Sequence, residues 1–332
     1  MLERTEKGRF SLTVDLAVAL LPVIAWSVYL FGARALVIEL LCGLFAAGFE
    51  VPVNIFLLHQ PPKQSFSGFA LLSGVIAALC LPVSVPLWMT VIAGFLVAAL
   101  RIPRMYFCHR PLNAAVGSAF ALHLCFPSLT ARFTMPFAYF PAYLISIPDA
   151  MVENYACRTP LDLLLNTDIY EDGIFAQFYG FAAGGLGTAA ALALVFGLGF
   201  LAVRRTVKLN ATGAYLLTLV VLAAALAPKQ VQMINYAWVY LLSGAVPLIA
   251  AVALNDYSTS PMRQYGTACA LFGVLAALLT VLFRALRLGV AGDLAAVLLA
   301  DLATPWLEKL TEPKRYYQPN REHKLGVKRV RS

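Results

Sequence analysis

The feature that most constrains this chain is a succession of apolar runs, each about as long as a bilayer is thick. They lie near 11–31, 35–58, 66–83, 86–103, 112–127, 176–202, 211–228, 236–254, 267–286 and 289–306. A helix needs about 20 apolar residues, within a range of roughly 17–25, to cross the hydrocarbon core. The third to fifth runs and the last are short or interrupted by Gly and Pro, which lipid tolerates only where protein or a cavity covers the freed backbone. Little is left for a hydrated surface. Charged residues are 13% and apolar residues 61% of the 332, against about a quarter charged in a soluble domain. The reading is an all-α integral membrane protein of about ten transmembrane helices, with no cleavable signal peptide. The net charge of +8 does not indicate nucleic-acid binding, because the basic residues sit in short segments between the runs. The six cysteines include no CxxC pair, which argues against a closed zinc or iron–sulfur site within this chain.

With ten spans, both termini share one side. Nineteen of the 25 Lys and Arg residues fall on that side, so the positive-inside rule places both termini in the cytoplasm. The opposite side holds Arg34, Arg132, Arg158, Lys229, Arg284 and Arg287. The resulting division is a cytoplasmic N-terminus (1–10), a membrane half (11–127), an extracytoplasmic loop (128–175), a second half (176–306) and a basic tail (307–332) facing lipid headgroups. CLPVSVPLW before span four and NDYSTSPMRQYG before span nine, with HLCFP and DLATP ending spans five and ten, make the halves faintly alike. Five spans per half predicts two related, inverted halves.

Five carboxylates interrupt the apolar runs: Asp15, Glu39, Glu50, Asp293 and Asp301. Each costs at least about 2.5–3.5 kcal/mol at the bilayer centre unless it is compensated. Asp15, Asp293 and Asp301 lie close enough to helix ends for a structural role. Glu39 and Glu50 are eleven positions apart, three helical turns, and so share one face of one helix; a proton or sodium path and a helix-packing hydrogen bond both fit. His123, the one histidine inside a span, reads as a packing residue. GFAAGGLG (180–187) reads as small-residue helix packing, and Asp256 as a cap or turn residue.

Six segments in order resemble one family. SGFALLSGVIAALCLP (67–82), RPLNAAVGSAFALHLCFP (110–127), RTPL (158–161), GGLGTAAALALVFGLGFL (184–201), ALNDYSTSP (253–261) and GDLAAVLLADLATP (292–305) are similar to stretches of RnfD, a membrane component of the Rnf electron-transport complex, and of NqrB, its relative in the sodium-pumping NADH–quinone oxidoreductase. The resemblance is collinear from about residue 11 to 306. It implies a ten-helix domain of two related halves in the bacterial inner membrane. There it would carry electrons through FMN and couple them to Na+ or H+ translocation beside other membrane and flavoprotein subunits. It also implies FMN joined by a flavin transferase, through its phosphate, to Thr159, with riboflavin as a conceivable second flavin. Arg158 beside the threonine could pair with the phosphate, and Pro160 favours an extended, accessible backbone at Thr159. The family pattern is altered at Ser67, Ala156, Cys157, Arg158, Thr188 and Ala291. The rival reading is a flavin-free transporter, binding or structural subunit on the same fold.

Overall fold

A computed structural model describes residues 2–58, 68–102, 112–138, 144–145, 147–165, 174–204, 206–207, 209–228, 233–255 and 266–311. Asp256, Asp168, Lys63, His59, His109 and the tail beyond Thr311 lie outside the described residues, together with what was expected of them. The described elements are helices throughout, apart from one isolated β-bridge, Thr134 to Ala156. In chain order they are α1 (Leu2–Phe31), α2 (Ala33–Leu58), α3 (Gly68–Leu79), α4 (Trp88–Leu100), α5 (Ala114–Cys125), the single turn α6 (Pro127–Thr130), α7 (Asp149–Tyr155), α8 (Pro160–Leu165), α9 (Ile174–Tyr179), α10 (Ala191–Val203), α11 (Asn210–Leu226), α12 (Met233–Leu242), α13 (Val246–Ala251), α14 (Gly266–Ala285) and α15 (Gly289–Thr311).

Each expected span has a helical counterpart, but not each is a full crossing. Four helices are long and apolar enough to cross alone: Leu12–Phe31, Ala33–Phe56, Gly266–Ala285 and Gly289–Thr311. The broken pair α12–α13, bent by 70°, supplies a fifth candidate. The other apolar helices, α3, α4, α5, α10 and α11, have 12, 13, 12, 13 and 17 residues. Twelve residues rise only about 18 Å, well short of a core about 30 Å thick.

Non-helical backbone accounts for part of the missing length, and several of its polar groups are satisfied within the protein. Residues 80–87 follow α3 as turns, with Cys80, Leu81, Val83 and Val85 almost fully buried. Residues 180–190 precede α10 in the same way, which corrects the sixth expected span: 176–202 is not one helix. GFAAGGLG is not helical either. Gly180 turns the chain at φ +87°, where a Cβ would overlap the Ala189 carbonyl. The two irregular stretches pair, with Leu186 N donating to Leu81 O (2.9 Å) and Gly187 N to Leu79 O (2.8 Å). His123 Nε2 meets Cys80 O at 3.2 Å, a packing role, and Arg34 bonds the carbonyls of Val83 and Val85. This is the accounting that irregular backbone in hydrocarbon requires.

Part of the packing recurs between the two halves. α2 packs on α3 and α4, as α11 packs on α12 and α14; α4 packs on α5, as α14 packs on α15. The halves meet where α1 lies on α10 and α5 on α15. Polar contacts sort into two faces. On one, Arg34 reaches Leu144, Ser84 reaches Arg132, and Trp26 donates to Tyr179 O. That loop face carries an aromatic cluster of Trp26, Tyr29, Phe137, Tyr179 and Phe181, as a membrane–water interface favours. On the opposite face Arg204 meets Asp15, Arg101 meets Glu50, and Asn113 N meets Asp301.

Candidate functional site

The segment that carries Thr159 is tied down at both ends. Before it, Met135 N donates to Tyr155 O and Cys157 N to Phe133 O, forming the β-bridge. After it, α8 packs on α12. Thr159 is the N-cap of α8 in a capping box with Asp162, the geometry that a Thr-x-x-acid spacing with Pro at the first helical position favours. Its hydroxyl donates to Asp162 Oδ2 (2.6 Å), and Asp162 N donates back to Thr159 Oγ1 (3.2 Å). Thr159 N also donates to the same carboxylate at 3.2 Å. The residue is 4% exposed, so the expected accessible hydroxyl is instead covered and engaged. The reason is local: Pro160 keeps Thr159 out of the helix, and the acid at 162 draws its side chain back over the first turn. Arg158 next to it is exposed.

A flavin phosphoester needs a hydroxyl and a compensating cation, and Thr159 and Arg158 are of the right kinds. The Asp162 carboxylate accepts the hydrogen bond of that hydroxyl. The donor set therefore fits FMN in chemistry, while access to the hydroxyl requires the first turn of α8 to open.

Behind this segment lies a clasp that sequence reasoning missed. Arg284, expected among the loop charges, is 1% exposed. Its five N–H groups have five acceptors. Nε and Nη2 bind the two oxygens of Asp293 at 2.8 and 2.9 Å. Nη1 donates to Tyr240 O (2.6 Å) and Ser243 Oγ (3.4 Å), and Nη2 also to Ser243 O (2.9 Å). The Tyr240 ring stacks 4.4 Å from the guanidinium carbon. Asp293 Oδ2 accepts from Ala245 N at 3.0 Å. The carbonyls and amide released where α12 breaks from α13 are thus held by one ion pair. Gly244, at φ +64°, lets the carboxylate approach, since a Cβ there would overlap Asp293 Oδ2 and crowd Leu161 of the threonine segment. Arg34, also expected as a loop charge, holds the 80–87 break in the same manner, donating to Val83 O, Val85 O and Leu144 O at 2.9–3.0 Å. The signal was available: each arginine adjoins a span end, and each half has a span broken by Gly or Pro.

The ion-path candidates share the buried face of α2 but meet different neighbours. Glu50 pairs with Arg101 (3.0 Å), whose guanidinium also lies over Phe69. Glu39, 1% exposed, receives one contact, from Ser27 Oγ of α1 to Oε1 at 2.5 Å. Its Oε2 is buried without a hydrogen-bond partner among the described residues. Of the other membrane carboxylates, Asp15 pairs with Arg204 and Thr206. Asp293 pairs with Arg284, a structural role, and Asp301 accepts from Asn113 N at 3.4 Å. Among the described residues no group of His, Cys, Asp and Glu is arranged to hold a metal ion. Of the altered family positions, Thr188 closes its own turn by accepting from Gly185 N at 2.8 Å. Ala291 has the Asp293 carboxylate two positions on.

The model of the NQR2, RnfD, RnfE family matches residues 4–317. The chain is 26% identical to the D subunit of the Na(+)-translocating ferredoxin:NAD(+) oxidoreductase complex of Acetobacterium woodii, covering 94% of this chain and 92% of the relative. It is 28% identical to the D subunit of the ion-translocating oxidoreductase complex of Stutzerimonas stutzeri, over 94% and 93%. It is 30% identical to the protein of the same name from Cronobacter sakazakii, over 94% and 95%.

Proposed function

This chain belongs to the NQR2, RnfD, RnfE family, and from that premise we propose that it is a membrane subunit of an ion-translocating electron-transport complex. The observation that carries the reading is coverage: the likeness to these D subunits runs over 94% of this chain and more than nine-tenths of each of those relatives. The protein would work with other membrane and flavoprotein subunits, in the bacterial inner membrane, with both termini cytoplasmic and the Thr159 loop outside. The Lys and Arg distribution supports that orientation.

Within this reading Thr159 is the attachment point for FMN, delivered by a flavin transferase. Bound there, the flavin would supply the electron-carrying chemistry, and the protein its position and electrostatics. Thr159 would hold the phosphate, its Oγ replacing at phosphorus the group that leaves with the remainder of the transferase's flavin donor; Arg158 would offset the charge, and Asp162 would take the hydroxyl proton that it already contacts. Glu39 and Glu50, on the buried face of α2, are the groups available for the coupling ion, Na+ or H+. The donor and acceptor of electrons, and a second flavin such as riboflavin, belong to the partners' chemistry as much as to this chain.

One observation favours the flavin-free alternative, a transporter, binding or structural subunit on the same fold: the Thr159 hydroxyl is covered and bonded to Asp162. Co-expression with a flavin transferase separates the two. A fluorescent band on a denaturing gel, a mass increase of one FMN, and loss of both in Thr159→Val with normal membrane insertion are the expected results. An unmodified chain, under conditions that label a family relative, removes the flavin from the reading.

A further inference from the structure

Glu39 sits at a depth and in company that an ionised carboxylate does not tolerate well. It lies five residues beyond Arg34 on α2, about 8 Å along the axis, on the face that also buries Ala35, Ile38 and Cys42. The charged and titratable groups on the elements packed against α2 are otherwise engaged or apolar in company. On α1, Asp15 is bound to Arg204, and Tyr29 is exposed. α3 and α4 contain no charged residue, and Arg101 beyond α4 is bound to Glu50. On α2 itself Arg34 holds backbone carbonyls, and Cys42 is a buried thiol, as is Cys80 after α3. No ion pair reaches Glu39 among the described residues.

Proton counting then separates the two forms of the acid. Ser27 Oγ lies within hydrogen-bond distance of two acceptors, Ile24 O at 2.9 Å and Glu39 Oε1 at 2.5 Å. A serine hydroxyl has one proton. With an ionised Glu39, that proton serves the carboxylate or the carbonyl, and the remaining contact sets oxygen against oxygen. Oε2 would then be a buried anionic oxygen with no donor, a costly arrangement in a low-dielectric interior. With a protonated Glu39 both contacts are used: the carboxyl O–H donates to Ser27 Oγ, and Ser27 donates to Ile24 O. What is left over is a neutral carbonyl oxygen.

We propose that Glu39 is a proton-binding site within the membrane domain, resting as the neutral acid with its carboxyl O–H donated to Ser27 Oγ. Its ligand is a proton and not a sodium ion. Oxygen cages for hard cations gather several carboxylate, carbonyl and water ligands around the metal, whereas here one carboxyl, one hydroxyl and a helix carbonyl stand in line. The site gives the coupling ion of the proposed function a location, but it does not depend on that function.

Infrared spectroscopy of the full-length, flavin-free chain in lipid nanodiscs tests it, and so the outcome is separate from the fate of Thr159. The wild type at neutral pH should show the carbonyl stretch of a hydrogen-bonded carboxylic acid, shifted to lower frequency in D2O. Glu39→Gln should lose that band and remain folded, because the amide can also donate to Ser27. Ser27→Ala should keep the band at higher frequency, the acid having lost its partner. A band that survives Glu39→Gln, a band insensitive to D2O, or a band lost when Na+ replaces K+ at fixed pH would each overturn the assignment.

Discussion

Asp293 and Glu39 are both carboxylates buried in membrane helices, and they are built in opposite ways. Asp293 has a bidentate arginine and a backbone amide, and its partner arginine spends its remaining donors on the broken α12–α13 backbone. Every group in that cluster depends on every other. Glu39 has one hydroxyl and one bare oxygen. A charge locked into a network holds a fold in place, whereas a carboxyl with a single neutral partner can change its protonation without breaking anything. The difference assigns structure to the first and exchange to the second.

The comparison is broken most forcefully at the clasp. Arg284→Ala leaves Asp293 buried without its counter-ion and strips the donors from Tyr240 O and Ser243 O. Loss of one partner of a buried pair costs about 3–5 kcal/mol, so thermal unfolding in detergent should show a large loss or no folded protein. Behaviour close to wild type would mean that the pair is not what holds the break. Gly244→Ala attacks the same place by another route. It adds a Cβ against Asp293 Oδ2 at a positive φ, at a cost of about 2–3 kcal/mol in overpacking and strain, and the same melting experiment reads it.

Smaller effects sharpen the contrast. Thr159→Ala removes an N-cap and should cost about 1 kcal/mol, a modest drop in melting temperature; a drop as large as that of Arg284→Ala would give the loop threonine a wider structural role. Glu39→Gln should be the mildest, a smaller loss than that of Thr159→Ala, since it replaces a neutral acid by a neutral amide outside any ion pair. Destabilisation by several-fold more would mean that Glu39 is ionised and held by contacts, as Asp293 is.

Much of this architecture was legible in the sequence, because hydrophobic length and charge placement are local properties. All ten apolar segments are present, and α2 carries Glu39 and Glu50 on one face as the eleven-residue spacing requires. The sixth span misled because an apolar, Gly-rich stretch has the same composition whether it coils into a helix or runs through turns. Leu79 and Leu81, a hundred residues away, accept from Gly187 and Leu186 and hold them in turns outside a helix. Arg284 and Arg34 misled for a related reason: a sequence shows a charge near a helix end but not the broken neighbour folded over it. Thr159 was half legible. Pro160 gave its extended backbone, and Asp162 three residues on was a capping signal that explains its burial.

Thr159 can meet an extracytoplasmic transferase only if the loop face is the outer one. The direct measurement is labelling of intact cells with a membrane-impermeant thiol reagent, with Cys108, Cys125 and Cys157 replaced by serine. Asp168→Cys should be labelled, and Asn320→Cys should be labelled only after the membrane is opened. Labelling of Asn320→Cys in intact cells, with Asp168→Cys protected, would invert the molecule in the membrane and contradict the account.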